Sequence, residues 1–146
     1  MNQDNVTEKS KSPTYEEQLR DLYNSKRFEE ALQLVIDEKQ KQPKTSKILA
    51  AKATLLGILG RYKESIDTAN ESLKLNFNDF ELLNTKGVSL YCLEKYDEAI
   101  DAFDACLTIK PNFLIAIQKK ISALTILRKY PEAAKVYRKV ICPIYR

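Results

Sequence analysis

The chain has 146 residues, 44% hydrophobic and 30% charged, with a net charge of +4, which suits one domain able to bury a modest core in water. It contains no histidine, and its three glycines (Gly57, Gly60, Gly87) form neither phosphate-cradling glycine motif. The commonest general base, the familiar catalytic triads and most zinc chemistry are thereby removed, and we expect no enzyme, no cofactor and no metal.

The opening "MNQDNVTEKSK" has no apolar core and mixes both charge signs. It reads as a flexible tail over residues 1–11, neither a signal nor a transit peptide. No apolar run approaches the ~18 residues that span a bilayer. Cys92, Cys106 and Cys142 are odd in number and lack C-x-x-C spacing, so a reducing compartment, the cytoplasm, is expected over a disulfide or zinc framework. Five prolines and three glycines are sparse punctuation and favour helices.

From residue 27 onward the chain repeats itself at a step of 34: "RFEEALQLV", "RYKESIDTA", "KYDEAIDAF", "KYPEAAKVY". The columns are Arg27, Arg61, Lys95, Lys129, then Phe28, Tyr62, Tyr96, Tyr130, then Glu30, Glu64, Glu98, Glu132, and Ala31, Ser65, Ala99, Ala133. Upstream, Leu22, Leu56, Leu90 and Leu124 align, as do Leu19, Ala53, Gly87 and Ile121. Composition bias does not produce such columns at one period, so the repeat is genuine.

Within a unit the apolar residues keep helical spacing. In the third they fall at Leu83, Gly87, Leu90 and Leu93, then at Ile100, Phe103, Cys106 and Leu107. "EKYD" breaks the two runs at a tight turn. Asn78 with Glu81 makes a capping-box pattern, and Pro131 suits a first helical turn. Pro43 and Pro111 close the first and third units. Each unit is thus a helical hairpin. Gly87 and Ala53 on first helices, and the Ala31 column on second helices, let backbones approach, while the aromatic column fills the wedge beside each turn. One hairpin cannot bury both apolar faces, so neighbours stack into a solenoid.

With these columns in place, the chain resembles a tetratricopeptide repeat array. "LLNTKGVSLYCLEKYDEAIDAFDACLTIKPN" carries Gly87, Tyr96, Ala99, Phe103 and Pro111 in the family's places, with Cys106 where the family prefers alanine. The resemblance covers residues 12–146 as units 12–45, 46–79, 80–113 and 114–146. Departures are Glu38 and Lys39 at normally buried places, and Phe77 in place of proline. The resemblance implies an all-α, right-handed α-solenoid of four stacked hairpins that binds other proteins.

By the family's geometry the first helices line a groove, here Glu16, Arg20 and Asn24, then Lys47, Ala50, Thr54 and Ile58. It continues through Glu81, Asn84, Val88, Tyr91 and Cys92 to Ile115, Gln118, Ser122 and Ile126. The family's clamp for chaperone C-terminal carboxylates resembles a Lys, Asn, Asn, Lys, Arg set. Those places hold Glu16, Arg20, Ala51, Glu81 and Thr85 in one register, and Ala50, Thr54, Thr85, Ile115 and Lys119 in the next. Neither fits. Ile58, Val88, Tyr91, Ile115 and Ile126 suit an amphipathic helix or an apolar-anchored peptide instead, although such residues also pack between first helices.

Charge is uneven: residues 110–146 carry a net +8 against −4 for the rest. Lys119, Lys120, Arg128 and Lys129 form a basic end that either meets an anionic partner or faces the acids Asp97, Glu98, Asp101 and Asp104 of the third unit. The leading reading is a protein-binding scaffold or adaptor. The alternative is RNA binding, because related helical repeats read single-stranded RNA. The last unit ends in "VYRKVICPIYR", which places Tyr137, Val140, Ile141, Ile144 and Tyr145 on or near an open end. That end is expected to self-associate, to be covered by a partner, or to continue into a longer protein.

Overall fold

A computed structural model describes residues 12–41 and 45–142; the tail 1–11, Pro43, Ile144 and Tyr145 fall outside them. Eight helices run in order: α1 (Tyr15–Asn24), α2 (Phe28–Lys41), α3 (Ser46–Ile58), α4 (Tyr62–Leu75), α5 (Phe80–Cys92), α6 (Tyr96–Ile109), α7 (Leu114–Ile126) and α8 (Tyr130–Ile141). From α3 onward every helix start repeats at the sequence period. The helices pack as sequential hairpins, each second helix meeting the first helix of the next unit. α3 also packs on α5, and α5 on α7. Tyr15 and Glu16 of α1 line a cleft with Lys47 and Ile48 of α3. No helix among the described residues is long and apolar enough to cross a membrane.

The turn inside each hairpin explains several columns at once. Lys26, Gly60, Glu94 and Arg128, again 34 apart, have φ of 57°, 76°, 61° and 59°. The next residue's N–H reaches back to the aligned leucine carbonyl: Arg27 to Leu22, Arg61 to Leu56, Lys95 to Leu90 and Lys129 to Leu124, at 2.8–3.0 Å. This is the Schellman closure, which satisfies carbonyls that the helix end would otherwise orphan. The basic and glutamate columns pair across the start of each second helix as Arg27–Glu30, Arg61–Glu64 and Lys95–Glu98.

One cap differs from expectation. α5 is capped by Asp79, whose carboxylate accepts the Leu82 N–H at 3.0 Å, while the Asn78 N–H turns back to the Asn76 side chain. Asn78 lies one residue too early to reach the helix. The full capping box is Thr14 with Glu17, at the start of α1. Pro131 does sit in the first turn of α8.

The core falls in three clusters. The first joins Ala31, Leu32 and Val35 to Ile48, Leu55 and Leu56. A smaller one holds Ala53, Ala69 and Leu82. The third joins Leu90, Ala99, Ala102, Phe103 and Cys106 to Ala116. Gly87 is buried as expected, but the nearest atoms beside it are the Phe103 ring, not a neighbouring backbone. In the aromatic column, Phe28 packs edge-on against Tyr23 and Tyr96 against Tyr91. Tyr130 departs from this and is 58% exposed. The register that holds Tyr23 and Tyr91 holds Thr125 there, so Tyr130 has no ring to wedge against. Ala133 keeps its buried place.

Candidate protein-binding groove

Short hydroxylated residues on α3, α5 and α7 bond to their own helices, so their hydroxyls are satisfied within the helix. Thr54 donates to the Ala50 carbonyl at 3.0 Å, and Ser122 to the Gln118 carbonyl at 3.0 Å. Thr85 and Thr125 close in the same four-residue step, a pattern that satisfies the hydroxyl locally. Ala50 packs against the Ala53 cluster and Val88 against the Phe103 cluster, so both serve the interior more than the groove. Asn84 is half-buried, with its Oδ1 enclosed and without a hydrogen-bond partner. Gln118 is exposed.

Ile58, Cys92 and Ile126 occupy one register, at the last turns of α3, α5 and α7, and all three are exposed. Ile58 is 48% and Ile126 47% accessible. Adjacent first helices lie ~8–10 Å apart, so the three form an apolar stripe roughly 20 Å long. Beside it stands Tyr91, half-buried, with the Lys119 ammonium 5.2 Å from its ring centre. The cation and the ring quadrupole attract, which ties a groove residue of α5 to a basic residue of α7. Tyr62 lies near Cys92, whose proximity pushes its phenol pKa up.

The basic end is drawn into the array. Lys120 pairs with Asp104, and Lys129 donates to Asp97 at 2.9 Å. Asp97 holds the Lys129 ammonium above its ordinary pKa, first through that hydrogen bond and then through its charge. With Lys119 on Tyr91, three of the four cations are engaged, and Arg128 is exposed at its turn. The third unit's acids thus face the fourth unit's cations.

Two features escape a reading by residue class. A buried hydroxyl relay runs from Ser89 to Ser65 (3.1 Å) and on to the Ala53 carbonyl (2.8 Å), tying α5, α4 and α3 together beside Gly57. Lys110 lies over the Phe80 and Phe113 rings, at 4.5 and 5.6 Å, where two units meet. A signal existed for the first: Ser65 stands in a column of alanines, where a hydroxyl needs a partner.

Tetratricopeptide repeat profiles match residues 46–79 and 80–113, the second and third hairpins. The chain is a tetratricopeptide repeat protein. Its first and fourth hairpins lie outside those matches yet share the helix pattern and the turn geometry. No curated protein matches in sequence. Solved structures of MamA share this repeat fold. The structure titled MamA 41-end from Desulfovibrio magneticus RS-1 superposes with a TM-score of 0.80 at 16% identity, covering 87% of this chain and 71% of that one. The MamA RS-1 ArsTM double mutant gives 0.81 at 15%, with 87% and 71% covered. A MamA AMB-1 structure gives 0.74 at 17%, with 86% and 74% covered. At these identities the likeness is one of fold.

Proposed function

We propose that this tetratricopeptide repeat chain is a non-enzymatic scaffold or adaptor whose groove takes an apolar-anchored peptide or amphipathic helix of a partner protein. The carrying observation is the stripe of Ile58, Cys92 and Ile126, exposed at one register of three consecutive first helices. A run of apolar anchor points between closed hydroxyls suits an apolar ligand face and offers little to a carboxylate tail. Engagement of Lys119, Lys120 and Lys129 inside the array weighs against an RNA phosphate track. Three free thiols, with Cys106 buried, favour a reducing, cytoplasmic setting.

The test replaces both exposed anchors, Ile58→Asp with Ile126→Asp, and compares affinity capture with the parent at equal helicity. Loss of the specifically captured partner is expected, since truncating an anchor often costs ~2 kcal/mol or more. Undiminished capture moves the binding site out of the groove. Generic RNA retained at moderate as well as low salt would favour the nucleic-acid alternative instead.

A further inference from the structure

Inside the array, one hairpin docks on the next through a charge code. On α6, Asp97, Ile100 and Asp104 face the fourth unit: Asp97 pairs with Lys129, Asp104 pairs with Lys120, and Ile100 lines the cleft between them with Leu124. An acidic second helix thus receives a basic first helix around an apolar centre.

One period later, α8 presents the same face with the charges reversed. Arg138 stands where Asp104 stands on α6, Lys135 replaces Asp101, Ala134 replaces Ile100, and Tyr137 replaces Phe103. Among the described elements α8 packs on α7, and its Val136 and Lys139 line clefts with Ile100, Asp104 and Leu107 of α6. Tyr137, on the other side, is 56% exposed. Pro131, Ala134, Lys135, Arg138, Lys139 and Cys142 line an open groove along this face.

We infer that the outer face of α8 is a docking site for an acidic amphipathic helix of a partner protein. That helix sits as α7 sits on α6, with a carboxylate at the place of Lys120, opposite Arg138. Its apolar side covers Tyr137 and Ala134, and charge complementarity selects its sign. A second copy of this chain fits less well. Its acidic helix α1, with Glu16, Glu17 and Asp21, already turns Tyr15, Leu19, Leu22 and Tyr23 partly onto its own core, so it would have to leave that core to dock. This site is separate from the groove, and it stands or falls independently of that reading.

The probe is a synthetic peptide copying residues 114–128, the α7 segment, in its natural form and with Lys119→Glu and Lys120→Glu. Fluorescence anisotropy measures both peptides against the full chain, and against a chain carrying Lys135→Glu and Arg138→Glu, both at exposed positions, once circular dichroism has matched its helicity to the parent's. The glutamate peptide is expected to bind the parent about tenfold more tightly than the lysine peptide, and the preference is expected to invert in the charge-reversed chain. The same preference in both chains overturns the proposal, as does absence of binding by peptides shown to be helical. A parent that sediments as an oligomer, and turns monomeric on Arg138→Glu, identifies a second copy as the occupant and also overturns it.

Discussion

The ring of Phe103 occupies the space that a side chain on Gly87 would need: a Cβ there would lie 2.6 Å from Cε1 and 2.7 Å from Cδ1. The aligned positions of the other hairpins hold Leu19 and Val35, Ala53 and Ala69, and Ile121 and Tyr137. Only in the third does one member shrink to hydrogen while the other is a ring. In the last both are large, and Tyr137 is exposed.

Substitution at Gly87 therefore tests packing against helix propensity. Alanine gains about 1 kcal/mol of helix propensity, whereas overpacking a filled core costs ~1–3 kcal/mol. Gly87→Ala should lose a net ~1 kcal/mol, and Gly87→Leu several. Phe103→Leu makes room, so Gly87→Ala on that background should cost much less than on the parent. Urea midpoints of the four chains measure it, and simple additivity would remove the ring from the explanation.

The left-handed turn column makes a second prediction. A residue with a Cβ is strained there by ~1 kcal/mol or more, and Lys26, Glu94 and Arg128 accept that strain where Gly60 avoids it. Glu94→Gly should stabilise by roughly 0.5 kcal/mol, the relief of strain outweighing the added freedom of the unfolded chain. Gly60→Ala should destabilise by about 1 kcal/mol. No atom lies within 4 Å of the added methyl, so its cost is one of backbone alone. A rise in melting temperature for Gly60→Ala contradicts this account.

Why was so much of the fold legible beforehand? The 34-residue columns mark positions that do the same job in every hairpin, and jobs such as Leu22–Leu56–Leu90–Leu124 at the turn depend on local geometry. Groove residues do not repeat a job, so Val88 and Ile58 look alike in sequence although one packs inward and the other faces water. Tyr130 looked like its column because its ring is in register. Register alone does not fix burial, for Tyr62 is half-buried, with Gly57 at the ring register, while Tyr130 is exposed. The cap of α5 failed by one residue, since Asn78 and Asp79 are both good caps and chain direction chose between them.

Stability should fall at both pH extremes, with opposite sign logic. Arg27 and Arg61 hold Glu30 and Glu64 below the ordinary carboxylate pKa, chiefly by hydrogen bonding. Their contribution is present above the unfolded pKa of about 4.3 and is lost as pH falls through the folded value. Asp97 raises Lys129, and burial raises the Tyr15 and Tyr23 phenols. That contribution is complete below an unfolded pKa of about 10 and is lost as pH rises through the folded values. Lys129→Gln should remove the lysine share of the alkaline decline and leave the tyrosine share in place. Urea midpoints between about pH 3 and 11 check both arms, and an alkaline arm identical in the variant would remove the Asp97 pair from the account.

Thiol chemistry gives a last, local test of the third hairpin. Cys92 and Cys142 are exposed, whereas Cys106 is sealed between α6 and the start of α7, with burial pushing its thiol pKa up. The thiolate is the reactive form, so both access and ionisation protect Cys106. An aromatic disulfide reagent should titrate two thiols quickly in the native chain and the third at the rate at which this interface opens. Local opening follows the stability of the unit that must part, so Gly87→Ala, by crowding Phe103 in the same cluster, should accelerate the third reaction several-fold without changing the first two. Mass spectrometry of the quenched chain identifies which cysteine reacted. Rapid native labelling of Cys106 would mean that the α6–α7 interface is already open, and the buried centre of the charge code would be lost with it.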